Sequence, residues 1–350
     1  MMNDYQIAYD AMQQAFEKAA GAHFDKLSET CLVLGGQAVQ MRIVGKHLAQ
    51  RLRLPFCHLE TRDLIKPPRL TINFWDESET GVRCPIGSTV MNDLGSTPVT
   101  VARSADDRFV FNKLRQSITC LDRNARHIVG WSANPGQFSL YESGRPLHSP
   151  LNVWHFDQDM PIIHAGLVSK DGAGVLLAGS SGAGKTTSAL TCLYSGFNYL
   201  SEDQVALQQL PSDSFHGHSL YNSTFLKTDH LERFPLLAPH AIAGIYPDEE
   251  KHLVLLAQLF PTRMQSATPI RVVALPRIVK DSPSRIRAAS KAEALLAIAP
   301  SSLIVGQLSS GVRGFTKLTQ LVKNIPCYWL ELGSNMNDIP ICVEQMLAKA

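Results

Sequence analysis

The chain has 350 residues, against a usual roughly 100 to 200 per domain, so two domains are expected and a single small module is excluded. Lysine plus arginine number 33 and aspartate plus glutamate 31, a formal net charge of +2, and 18% of residues are charged where about 25% is typical. A disordered chain is thereby excluded, as is one held to nucleic acid by overall positive charge, and no nucleic-acid partner is expected.

In chain order, the segment Asp4 to Ala20 places Ile7, Met12, Phe16 and Ala19 at roughly helical intervals among good helix formers, which predicts an opening amphipathic helix. From Cys31 two short apolar runs flank Gly35 and Gly36, the pattern of a β-hairpin, and a helix is predicted from Lys46. Residues 70 to 75, 97 to 102 and 138 to 143 predict short strands. Trp75, Asp76, Trp131, Tyr141 and Trp154 read as packing residues of this β-rich text.

After about residue 150 the pattern becomes strand, glycine loop, helix, strand, the order of an α/β nucleotide-binding core. The boundary is placed between 145 and 155, giving a smaller N-terminal α+β domain over 1–150, a candidate for substrate or partner recognition, and a P-loop domain over 151–350. Further on, 271–279 predicts a strand, 290–300 a helix stopped by Pro300, 312–324 a helix, 327–332 a strand and 338–350 a closing helix. The cysteines, Cys31, Cys57, Cys84, Cys120, Cys192, Cys327 and Cys342, are odd in number and never two residues apart, so they are expected to be reduced, mostly buried thiols. No apolar run reaches the roughly 18 residues of a membrane span and none resembles a signal peptide, so no membrane partner and a cytoplasmic location are expected.

The strongest chemical signal is Gly179-Ser180-Ser181-Gly182-Ala183-Gly184-Lys185-Thr186, which satisfies G-x-x-x-x-G-K-[ST] at every fixed position. An apolar strand precedes it and Thr187 opens helix-compatible text after it. The glycines let several backbone N–H groups converge on one anion, and the helix beginning near Lys185 adds its positive N-terminal end. Gly179 to Thr187 are therefore expected to bind the phosphates of ATP, with Lys185 as the mobile cation and the Thr186 hydroxyl on Mg²⁺. Glu202 and Asp203 follow one helix later, at the start of a strand expected to run beside the one that feeds the loop. One carboxylate would hold Mg²⁺ and the other accept the proton of an attacking hydroxyl. His164 lies on the strand before the loop-feeding one.

The stretch from His164 through the glycine loop to Glu202-Asp203-Gln204, covering about residues 160 to 210, resembles the catalytic core of the HPr kinase/phosphorylase family, whose nucleotide-binding core is shared with phosphoenolpyruvate carboxykinases. The resemblance implies an α/β fold with that P-loop core. It also implies ATP as phosphoryl donor, Mg²⁺, a serine or other hydroxyl acceptor, and self-association. Residue by residue, Glu202 takes the place of the family's proton-accepting aspartate, Asp203 that of the second aspartate near the metal, and His164 lies near the transferred phosphate. Glutamate at 202 adds a methylene, shifting the carboxylate by about 1.5 Å, so Asp203 is an alternative base. No E-x-R-G segment follows, so HPr itself is not implied as the acceptor.

The leading expectation is thus an ATP-dependent kinase acting on a hydroxyl of a peptide, protein or small molecule. A non-catalytic ATP-binding regulatory module is the alternative, and a simple P-loop hydrolase a third. Lys227, Lys251, Arg277, Arg285 and Arg287 read mainly as surface cations, and His216 and His218 as members of a polar loop.

Overall fold

The computed structural model describes residues 4–62, 67–279, 283–305 and 311–350, with the side chains of 301–305 and 311–312 excepted. Its contacts divide the chain into two compact units, Met1–Trp154 with Phe225–Val254, and His155–Thr224 with Leu255–Ala350. The chain is a mixed α/β protein with two large sheets.

The first unit opens with α1 (Asp4–Ala22), the strands β1 (Leu27–Leu34) and β2 (Gln37–Val44), α2 (Lys46–Arg53), β3 (Glu60–Thr61) and β4 (Leu70–Asp76). It continues through α3 (Glu77–Thr80), α4 (Ser88–Leu94), β5 (Thr100–Arg103), β6 (Phe109–Lys113), β7 (Ser117–Asp122) and β8 (His127–Ser132). Then come α5 (Leu140–Gly144) and α6 (His148–Asp157). The eight strands order as β3-β1-β2-β4-β8-β7-β6-β5, with β2, β4 and β8 parallel and β5 to β8 an antiparallel meander. Gly35 and Gly36 turn the β1–β2 hairpin with φ of 56° and 74°, the paired positive values of a two-residue turn that matches strand twist.

Met12, Phe16 and Ala19 of α1 are fully buried in a cluster with Trp75, Phe111, Cys120 and Val129 of the sheet. Ile7, expected on the same stripe, is 51% exposed, and Ala8 and Tyr9 are buried instead. Five residues of helix turn Ile7 about 140° away from Met12, whereas Ala8 and Tyr9 stand four and three residues from it.

The second unit holds β9 (Ile162–Lys170), β10 (Ala173–Ala178), α7 (Lys185–Tyr194), β11 (Asn198–Ser201), β12 (Gln204–Gln209) and β13 (Phe215–His218). The strand β14 (Ser223–Leu226), the helix α8 (Thr228–Arg233) and the strands β15 (Ile242–Ala243) and β16 (His252–Leu255) come next, and the three strands form a small sheet ordered β14-β16-β15. The second unit resumes with β17 (Ala267–Ile278), β18 (Arg285–Ala288), α9 (Lys291–Val305), α10 (Gly311–Asn324), β19 (Cys327–Leu332) and α11 (Asp338–Ala348).

The long strand β17 organises this unit. It bonds β13 through Ala267–Pro269, runs parallel to β10 from Ile270 to Ala274, and parallel to β19 from Val273 to Ile278. The path β10-β9-β12-β13-β17 therefore closes on β10, while β19 and β18 extend one side as an open sheet. Ala294 and Ile298 of α9 and Leu318 and Leu321 of α10 bury one face of this sheet against Ala165, Leu176 and Leu275.

Several expectations are corrected. The stretch 138–143 is not a strand: Ser139 accepts from the Glu142 amide and the Glu142 carboxylate accepts back from the Ser139 amide, a capping box that starts α5. Pro300 does not stop its helix, for α9 continues to Val305 with the proline inside. His216 and His218 lie on β13 and not in a loop, His218 sharing a 2.8 Å hydrogen bond with Gln208 of the neighbouring strand. The segment after α7 is two strands, β11 and β12, both antiparallel to β9, so the loop-feeding β10 has β9 and β17 as its neighbours and not the strands on either side of the acidic pair. All seven cysteines are free thiols, four buried and three partly so.

Candidate functional site

Gly179 to Gly184 connect β10 to α7 at the end of the parallel β10–β17–β19 strip. Gly179, Gly182 and Gly184 have φ of 151°, 79° and 105°. Gly184 caps α7 in a left-handed conformation, and a Cβ on it would lie 2.3 Å from Leu332 Cδ1 on β19. The loop is thus shaped by its own backbone needs and by the wall behind it. Lys185 is buried, and its Nζ donates to the carbonyls of Gly179 (2.8 Å) and Ser180 (3.0 Å). Thr186 and Thr187, in the first turn of α7, are partly buried.

The acidic pair sits at the break between β11 and β12. The Ser201 hydroxyl accepts from the amides of Asp203 (3.1 Å) and Gln204 (2.9 Å), which bends the chain there. The Asp203 carbonyl accepts from the Ala165 amide at 2.9 Å, so the bend is stapled to β9 next to His164. As a result His164 Nδ1 and Asp203 Oδ1 lie 3.0 Å apart, each side chain about one-fifth exposed. Glu202 is buried, with its carbonyl against Gly166. The structure therefore joins His164 to Asp203.

His164 and the loop residues Gly179 to Ala183 line one cavity of about 750 Å³, within the range of about 300 to 1,000 Å³ for ligand pockets. Its far wall is Leu275, Pro276, Arg277 and Ile278 at the end of β17, Leu296, Ala297 and Pro300 of α9, and Trp329 of β19. Of the secondary cations, Arg277 lines the cavity. Its guanidinium lies over the Trp329 ring, 4.7 Å from the centroid, and pairs with Glu331, which also accepts from Arg285 at 2.5 Å. The hydrogen bonds from Arg285 and Arg277 hold the Glu331 carboxyl down at about 2. Arg287 first, then the Ser290 amide and hydroxyl and the Trp329 indole, hold Glu293 at about 2 in the same way. Trp329 is thereby fixed on its edge, because its Nε1 donates to Glu293 at 3.0 Å.

Lys227 and Lys251 belong to the other unit, in the segment 225–254. Among the described residues no group of three or more His, Cys, Asp or Glu is arranged to hold a metal ion, and this includes the surroundings of His216 and His218. That Pro276, Leu296 and Trp329 form one wall is not legible in the sequence, since residues from a strand end, a helix and a second strand carry no common spacing. Among the described residues no helix is long and apolar enough to cross a membrane.

No protein-family model matches the chain, and no curated protein matches it. Among solved structures the chain is similar to an HPr(Ser) kinase/phosphatase from Coxiella burnetii, at 12% identity and a TM-score of 0.29, over 54% of this chain and 94% of that one. A superposition that loose assigns no reaction.

Proposed function

We propose that the second unit is an ATP-dependent phosphotransferase that moves the γ-phosphoryl group to a hydroxyl acceptor. The observation that carries this reading is the His164–Asp203 pair at 3.0 Å, with His164 lining the same cavity as the glycine loop. A phosphate cradle alone serves binding, hydrolysis and transfer equally, whereas a carboxylate oriented by an imidazole at the cradle's edge is what proton removal from a nucleophile needs.

In this reading the amides of Gly179 to Lys185 hold the phosphates, and Lys185 exchanges its bonds to the Gly179 and Ser180 carbonyls for bonds to phosphate oxygens. Asp203 accepts the proton of the acceptor hydroxyl while His164 fixes the carboxylate through Nδ1. The acceptor oxygen bonds to the γ-phosphorus as the bond to the bridging oxygen of ADP breaks. The Thr186 hydroxyl is a hard oxygen donor that would hold Mg²⁺ together with phosphate oxygens and waters. Mg²⁺ would supply charge neutralisation on the phosphate oxygens. Asp203, and not the buried Glu202, is the base in this scheme.

The test is transfer of label from [γ-³²P]ATP to serine-containing peptides, candidate proteins and small hydroxylated compounds. Lys185→Ala abolishes label, Asp203→Asn lowers it by about 10² to 10⁴, and Glu202→Gln retains more than Asp203→Asn. Full transfer by Asp203→Asn refutes the scheme. ATP binding without transfer to any acceptor, including material that co-purifies with the protein, supports a binding module instead.

A further inference from the structure

The site has a direction, and the direction locates the rest of the donor. The strands run β9, β10, β17, β19 side by side, with the glycine loop leaving β10. His164, and with it Asp203, lies on the β9 side of the loop, while Pro276, Arg277 and Trp329 lie on the β17–β19 side. A terminal phosphate held by the loop and facing Asp203 leaves the α-phosphate, ribose and base only the opposite course, across β17 toward β19. Three strand spacings of about 4.8 Å separate β9 from β19, about 14 Å in all, which is the scale of an extended nucleoside triphosphate.

We propose that the wall formed by Pro276, Leu296, Ala297 and the Arg277–Trp329 stack is the nucleobase subsite, and that it recognises a purine by its face and not by its edges. The proposal rests on the phosphotransferase reading of the loop. Two independent features support it. Ile278 and Leu296 are 70% and 76% exposed, large apolar side chains at the margin of a cavity, and a flat aromatic ligand would cover them. Among the described lining residues outside the loop, only Arg277 and His164 carry polar side-chain groups besides the Trp329 indole, whose N–H is committed to Glu293. A wall with so few donors and acceptors offers stacking and cation–π contact but little to read a base's hydrogen-bonding edge. Discrimination between adenine and guanine is therefore weak, and purines are preferred over pyrimidines for their larger face.

The experiment is equilibrium binding to the full chain, with Mg²⁺ present, of ATP, GTP, CTP, UTP and inorganic tripolyphosphate. Expected are ATP and GTP within about threefold of each other, both at least about tenfold tighter than tripolyphosphate, and the pyrimidine nucleotides between. Leu296→Glu, at an exposed position that the fold does not need, weakens ATP by about tenfold and leaves tripolyphosphate unchanged. ATP quenches the fluorescence of the native chain, and the quench disappears in Trp329→Phe while the remaining three tryptophans still emit. Tripolyphosphate binding as tightly as ATP, with Leu296→Glu indifferent, overturns the subsite but leaves the phosphate cradle standing. Failure of both ATP and tripolyphosphate to bind overturns the cradle and the subsite together.

Discussion

Replacing Gly184 by alanine tests how the loop is built, because two separable costs meet at that position. The backbone stands at φ 105° in a left-handed cap, where an L-residue costs about 1–3 kcal/mol. The new Cβ would also fall 2.3 Å from Leu332 Cδ1, the end of a side chain that is only 5% exposed, and moving a packed methyl aside adds about 1 kcal/mol at the low end of overpacking costs. The sum is about 2–4 kcal/mol. Gly182→Ala supplies the control, because its φ of 79° carries strain of about 1–2 kcal/mol but no atom lies within 4 Å of the added carbon. Urea denaturation of the two variants, with Leu332→Ala and the Gly184→Ala/Leu332→Ala double variant, completes the comparison. The double variant is expected to be less destabilised than the sum of its singles by about 1 kcal/mol, the overlap that the shorter side chain removes. Gly184→Ala unfolding like the native chain, or showing strict additivity with Leu332→Ala, refutes the claim that β19 shapes the loop.

The buried His58 and His218, both lowered to about 4 by burial, stay neutral in the folded chain while the unfolded chain takes up protons near 6.5. Stability is then complete above pH 6.5 and falls as the pH drops toward 4, by roughly 3 kcal/mol per histidine, and a thermal-melt series over that window in His218→Gln should show a shallower fall than the native chain. Glu331, held at about 2 against an ordinary 4.5, has the usual carboxylate sign: its contribution is present above pH 4.5 and disappears between pH 4.5 and 2, and Glu331→Gln should flatten the melting profile in that range. Glu142 is buried and accepts from the Gln116 amide (2.9 Å), the Ser117 hydroxyl (2.9 Å) and the Ser139 amide (3.0 Å) and hydroxyl (2.8 Å), so Glu142→Ala, which strands those donors, should cost more than about 3 kcal/mol by chemical denaturation. Phe16→Ala, removing a fully buried ring from α1, should cost about 3–5 kcal/mol.

Features whose cause lies within a few residues are legible in the sequence. The Gly35-Gly36 hairpin, the helix from Lys46 and the loop from Gly179 to Lys185 each depend on local backbone permission or on a short periodic stripe, and the structure shows all three as elements. The segment 138–143 has the alternation of a strand, but a signal equally local, the Ser139-x-x-Glu142 capping box, decides for a helix. At Pro300 the cause is different. A proline removes one helical hydrogen bond, but Ala294 and Ile298 bury the preceding turns of α9 against the sheet, and the helix runs on to Val305 with the proline inside it.

Partnership across the sheet was not legible at all. Residues 199–207 read as one strand beside β10, yet β9 stands between them, because β9 takes β10 on one side and β11 and β12 on the other. Strand order depends on which long-range hydrogen-bonded ladder closes, and no spacing within twelve residues encodes it. From the chain's letters alone came the glycine loop, the lysine after it and the presence of two nearby carboxylates, since each follows from local steric freedom and side-chain chemistry. Tertiary structure alone decided that Asp203 meets His164, and that Trp329, about 150 residues beyond the loop, stands on the same cavity. The His164–Asp203 pair turns on a Ser201-anchored bend clipped to Ala165, and the cavity on β17 bringing β10 and β19 to its two flanks.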